Sequence, residues 1–135
     1  YRDQLWVLNS GCGELGTIDQ ATGKYEAVER VPGYTRGLAF AGPFAFVGLA
    51  LIRGTSVCGG VPIVENRAEL RCGVAVIDLR TGSSVASLEF ATGVNEIFAV
   101  DVLPGAANPF IREPIPASED VKDIWVVPPS EGIGK

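Results

Sequence analysis

The 135-residue chain is 47% apolar and 20% charged, with a formal net charge of −5, a balance that suits a buried β-protein. Scattered charges of mostly acidic sign exclude a nucleic-acid surface, which needs clustered Lys and Arg. No apolar run reaches the ~18 residues that span a bilayer, and the absence of His removes imidazole metal ligands and His-based triads.

Taken in order, the chain reads as short strands divided by turns. Leu5–Asn9 is a strand with Trp6 and Leu8 on one face. Gly16–Asp19 is the next, and Tyr25–Val31 follows after Thr22-Gly23, where glycine supplies the positive φ such a turn needs. Arg36–Phe40 and Phe44–Leu49 flank Ala41-Gly42-Pro43, a hairpin signal. Leu51–Arg71 interrupts the pattern as an insertion, in which Val64–Leu70 is expected to form one or two helical turns. Gly73–Leu79, Val85–Phe90 and Glu96–Leu103 resume the strands. Pro104–Val121 is proline-rich and is read as an ordered surface loop, because a last strand, Ile124–Val127, follows it.

Several segments repeat. Leu15-Gly16-Thr17-Ile18-Asp19-Gln20-Ala21-Thr22-Gly23 recurs 59 residues later as Val74-Ala75-Val76-Ile77-Asp78-Leu79-Arg80-Thr81-Gly82. Cys12-Gly13 and Cys72-Gly73 precede the two copies. Gly33–Phe40 then corresponds to Gly93–Val100, with one residue inserted. Leu5-Trp6-Val7-Leu8 is echoed by Ile124-Trp125-Val126-Val127. Such a period with strand units is the mark of radial β-repeats. The expected fold is all-β and β-propeller-like, one β-repeat domain over residues 1–135 with an insertion at 51–71 and a loop at 104–121. With a blade's strands lettered A to D from channel to rim, the chain reads B-C-D, A-B-C-D, A-B, about two blades. A blade is apolar on both faces and needs neighbours to bury them. Two faces left open predict either a homo-oligomer that completes a ring or a longer chain, and the start at Tyr1 is read as a cut from something longer.

Four blocks carry a family resemblance: Leu5–Leu15, Val31–Phe40, Cys72-Gly73-Val74 with Asp78-x-x-Thr81-Gly82, and Glu96-Ile97-Phe98 with Val102-Leu103-Pro104-Gly105. In this order they resemble a family of conserved bacterial proteins of unknown function, several hundred residues long. The resemblance implies the C-terminal portion of a propeller-like domain and brings no activity. It also makes a trimer of six blades the preferred ring. The chain departs from the pattern at Ser56-Val57-Cys58-Gly59-Gly60, and at Asn95, where a longer amide is familiar.

The chemistry-bearing residues are few. Cys12, Cys58 and Cys72 match no zinc spacing. Cys58 and Cys72 bracket the insertion and suit a bridge in an oxidising compartment; the plainer reading is three packed thiols in a reducing cytoplasm, and a cytoplasmic location is expected. Asn9-Ser10-Gly11-Cys12-Gly13 has a phosphate loop's glycines but neither its helix nor its Lys-Ser/Thr ending. Asp19 and Asp78 read as turn-formers, and Trp6 and Trp125 as inter-blade core. Arg36 and Glu96 occupy equivalent positions at the start of inner strands, where they either pair across a channel or hold a ligand together. Asn9, Glu14, Asn95 and Asp101 are further candidates for lining that channel. The leading expectation is a non-catalytic binding or scaffold module with no cofactor and an unidentified protein or small-molecule partner. The alternative is a hydrolase or lactonase-like propeller with Ca²⁺ held by Asn9, Glu96 and Asp101, since hard cations take oxygen ligands.

Overall fold

In the computed structural model, residues 1–52 and 60–106 are described. Tyr1–Val102 forms one compact unit. Of a second unit, Leu103–Lys135, the description covers Leu103–Ala106, where the Ala106 N–H donates to the Leu103 carbonyl at 3.3 Å. The strand Ile124–Val127, Trp125, Cys58 and all but the first three residues of the proline-rich loop lie outside the described residues.

The described residues of the first unit form two antiparallel meanders and a short 3-10 segment kinked at Asn66, so the all-β expectation holds. The first sheet has the order β1-β2-β3, from Leu5–Asn9, Glu14–Ile18 and Tyr25–Arg30. The second has the order β4-β5-β6-β7, from Tyr34–Ala41, Phe44–Ala50, Gly73–Asp78 and Ser83–Glu89. Among the described residues, the two sheets form no closed barrel. No helix among the described residues is long and apolar enough to cross a membrane.

The two repeated turns behave alike, and the reason is the aspartate. Asp19 accepts from the Ala21 and Thr22 N–H groups at 2.9 and 2.8 Å, and its carbonyl takes the Gly23 N–H at 2.7 Å. Asp78 accepts from the Arg80 N–H at 2.9 Å, and its carbonyl takes the Gly82 N–H at 2.8 Å. Gly23 and Gly82 close these turns at φ 71° and 69°, a region that costs other residues their Cβ clearance. The Thr22 and Ala21 bonds hold the Asp19 carboxylate below its ordinary pKa, while Asp78 is held down first by the Arg80 side chain and then by the Arg80 N–H.

Side-chain alternation then sorts the second sheet into two faces. Ala45, Val47 and Leu49 of β5 and Ala75 and Ile77 of β6 face the first sheet, where they bury Leu15 and Val31. Trp6, Leu8, Leu38, Phe40 and Leu79 pack around that core. Phe46 and Gly48 of β5, Val74 and Val76 of β6, and Ala86 and Leu88 of β7 occupy the opposite face by register.

The insertion closes one end. The expected helical turns form a 3-10 helix, Pro62–Glu69, begun two residues earlier than the sequence suggests because Pro62 suits the first turn. The Ile63 N–H donates to the Gly11 carbonyl at 3.0 Å, and the Arg71 N–H to the Pro32 carbonyl at 2.7 Å. Ile63 itself is buried against Gly13, where a Cβ would lie 2.9 Å from its Cδ1. The β5–β6 connection of one sheet is thereby clipped to the β1–β2 turn of the other.

One expected strand differs. Val94–Leu103 runs without turn or bend, yet joins neither sheet. It is fixed at its start by the Leu51 N–H, which donates to the Asn95 carbonyl at 2.9 Å. It then crosses the far face of the second sheet, with Ile97 and Val100 over Gly48. A strand exists through its neighbour's ladder, and the neighbour expected from sequence falls outside the described residues.

Candidate functional site

The Arg36–Glu96 pair is built by a β-bulge. The β4–β5 register shifts between Thr35 and Leu38, and Gly37 within the bulge adopts φ 71°. A bulge re-aims its side chains. Thr35 turns inward, 1% exposed, and its carbonyl accepts from the Ser10 hydroxyl at 2.7 Å. Arg36 turns to the far face, where its Nη1 stands 3.8 Å from Glu96 Oε2. The guanidinium carbon lies 5.5 Å from the Tyr34 ring centroid and 4.9 Å from that of Phe98. Two rings and a carboxylate thus hold one cation whose side chain is 38% exposed, while Glu96 is 17% exposed. At 3.8 Å the contact is an ion pair rather than a tight hydrogen bond.

Backbone approach makes the arrangement possible. A Cβ on Gly37 would lie 2.5 Å from the Val100 N, and one on Gly48 only 2.1 Å from the Arg36 carbonyl. Both glycines leave room for the bulge and for the segment that carries Glu96 and Phe98.

Asn9 and Glu14 form a separate cluster on the outer face of the first sheet. Glu14 Oε2 accepts from the Asn9 amide and from the Tyr25 hydroxyl, each at 3.0 Å. Tyr25 lies across Gly16, whose Cβ would fall 2.4 Å from the ring. Burial first, and then the Glu14 carboxylate, push the Tyr25 phenol up to about 12, so it stays a donor at neutral pH.

Asn95 accepts the Leu51 N–H at 2.9 Å through its backbone carbonyl. Asp101 is exposed and accepts the Val102 N–H at 2.7 Å. The structure therefore brings Arg36 to Glu96 and Asn9 to Glu14, and engages Asp101 locally. Among the described residues, no three His, Cys, Asp or Glu side chains gather as a metal site. Cys12 and Cys72 are free thiols, Cys72 buried; burial, then the Glu96 charge, raises its pKa.

Sequence reasoning missed Tyr34, Phe98 and Tyr25. For Tyr34 a signal existed: it stands two residues before Arg36 and so shares its face of the strand. For Tyr25 the signal was Gly16, a mid-strand glycine that marks a close approach. Phe98 carried no such sign.

A cleft of about 330 Å³ also opens beside the insertion, lined by Cys12, Arg30, Val31, Ile63, Asn66 and Glu69 among others. Its volume is at the lower end for ligand pockets, and its charged lining is exposed.

No curated protein and no solved structure matches the chain. A family match covers residues 1–112, more than four-fifths of its length. The chain belongs to the family described as a domain of unknown function, DUF4915.

Proposed function

We propose that this chain is a non-catalytic binding or scaffold module of propeller-like β-repeats, completed into a ring by further copies of itself. One observation supports the reading above the others. The four-stranded sheet is buried against the first sheet by one face, and its opposite face is equally apolar: Phe46, Val74, Val76, Ala86 and Leu88. Leu88 is 60% exposed there, and Phe98, against Arg36 of β4, is 71% exposed. Contiguous apolar faces on a soluble protein are interaction surfaces. At the rim of this face Arg36, with Tyr34 and Phe98 around it, offers a cation to an anionic group of a ligand or partner.

Substitution on the open face tests it. Leu88→Lys places a charge where a neighbour would pack but leaves the buried core untouched. The wild-type chain is expected to associate by light scattering, and Leu88→Lys to remain folded by circular dichroism but monomeric. A wild-type monomer that binds no apolar dye overturns the reading.

A further inference from the structure

Among the described residues, two unpaired edges match one another. The first sheet has three strands where the second has four, and β1 carries no neighbour on its outer side among the described residues. Ile97–Val100 is a straight segment whose backbone N–H and C=O groups make no hydrogen bond among the described residues. Among the described residues, one sheet is a strand short of the other and one extended segment has no ladder. Resting on the ring reading above, we infer that Ile97–Val100 of one copy pairs antiparallel with β1 of a second copy and supplies the fourth strand of its first sheet.

The register follows from the repeat. Thr17 and Val76 are equivalent, 59 residues apart. Trp6 stands opposite Thr17, and Phe46 opposite Val76. Trp6 of β1 is therefore the counterpart of Phe46 of β5, and Val7 of Val47. In the same way Glu96 matches Arg36, so Phe98 matches Leu38 and Ala99 matches Ala39. In the complete sheet, Leu38 pairs with Val47, Ala39 with Phe46 and Phe40 with Ala45. Carried over, Phe98 pairs with Val7, Ala99 with Trp6 and Val100 with Leu5.

The faces agree with the edges. Leu38, the counterpart of Phe98, packs against the core between the sheets. Phe98 is 71% exposed and Leu5 47%, so both are uncovered within one chain. Once Phe98 lies beside Val7, the outer face of the first sheet, with Leu5 and Ile18, comes to rest on the Phe46–Val74–Val76 face of the donor. This is the sheet-on-sheet contact already present inside each chain, made a second time between copies. It joins unlike surfaces head to tail, the kind of contact that closes into a ring. Unpaired strand edges are ready templates for such addition.

The pairing is trapped with cysteines. Paired Cα atoms in an antiparallel ladder stand roughly 4.5–5.5 Å apart, inside disulfide range. Val7→Cys combined with Phe98→Cys, under mild oxidation, is expected to run largely as covalent oligomers on a non-reducing gel. Each single variant should run as the wild type does. Oligomers by light scattering without the Val7–Phe98 cross-link overturn strand donation but leave the ring standing. Monomers with both introduced thiols free overturn both. Protection of the Ile97–Val100 amides in a monomer, read by hydrogen exchange, assigns the strand to a partner within its own chain and also overturns the donation.

Discussion

Gly48→Ala is the sharpest single perturbation of the site. The added Cβ would lie 2.1 Å from the Arg36 carbonyl, 2.9 Å from Ile97 Cγ2 and 3.0 Å from Val100 Cγ2. The nearest obstacle is backbone on the neighbouring strand, so no side-chain rotation relieves it. To reach 3.0 Å, below which such contacts essentially do not occur, the β4 bulge must move by 0.9 Å. Overpacking of this kind costs about 1–3 kcal/mol. Lifting Ile97 and Val100 also separates Glu96 and Phe98 from Arg36, adding on the order of 1 kcal/mol for the exposed pair and ring contact. The expected loss is about 3 kcal/mol, or roughly 10 °C or more in Tm for a unit of this size. Urea unfolding at constant slope measures it. Gly42→Ala is the control: at φ 54° with nothing within 4 Å of its Cβ, it carries only left-handed strain, roughly 1–2 kcal/mol. Equal losses in the two variants would refute the reasoning, because clash and not conformation is what separates them.

Other expectations follow from single contacts. Ile63→Ala should cost about 2–4 kcal/mol in urea unfolding, since it opens a cavity under the clip between the sheets. Arg36→Ala should cost about 1–2 kcal/mol, the sum of a partly exposed ion pair and two ring contacts; a loss near zero would mean the cluster is ornamental to the fold. The Asp78 carboxylate, held down to about 2 by the Arg80 side chain and backbone, stabilises the fold above the ordinary carboxylate pKa, and that share is lost as pH falls from roughly 4 through 2. Asp78→Asn should therefore flatten the acid limb of a stability-versus-pH curve. Tyr25 has the opposite sign: its phenol is raised to about 12, so its contribution is present below the unfolded value of about 10 and disappears as pH rises through the folded one. Ultraviolet titration of the three tyrosines should show one phenolate forming late, and Tyr25→Phe should remove that step.

What could be read in advance was what is local. Asp19 and Asp78 announced their turns because an aspartate four residues before a glycine satisfies the turn's own backbone. The strands followed from apolar alternation, with ends displaced by at most two residues, as at β2, which begins at Glu14 rather than Gly16. The Arg36–Glu96 meeting came from repeat equivalence, a non-local inference that sequence permits. The Ile63 clip was invisible, because it depends on where an insertion folds back over Gly11 and Gly13. The Asn9–Glu14–Tyr25 cluster was half legible: its two ends were named, but Tyr25 reaches Glu14 diagonally across Gly16. Glu96–Leu103 has a strand's sequence, yet pairing requires a partner, and strand propensity alone does not supply one.

On the ring proposed above, the far face of the second sheet is covered by another repeat unit. Light scattering on the intact chain, across a concentration series and with an apolar dye, tests it most directly. One closed oligomer of two or three chains is expected, trimer favoured, with little dye bound at concentrations where it is assembled and more on dilution. A monodisperse, stable monomer without dye binding at every concentration would contradict it.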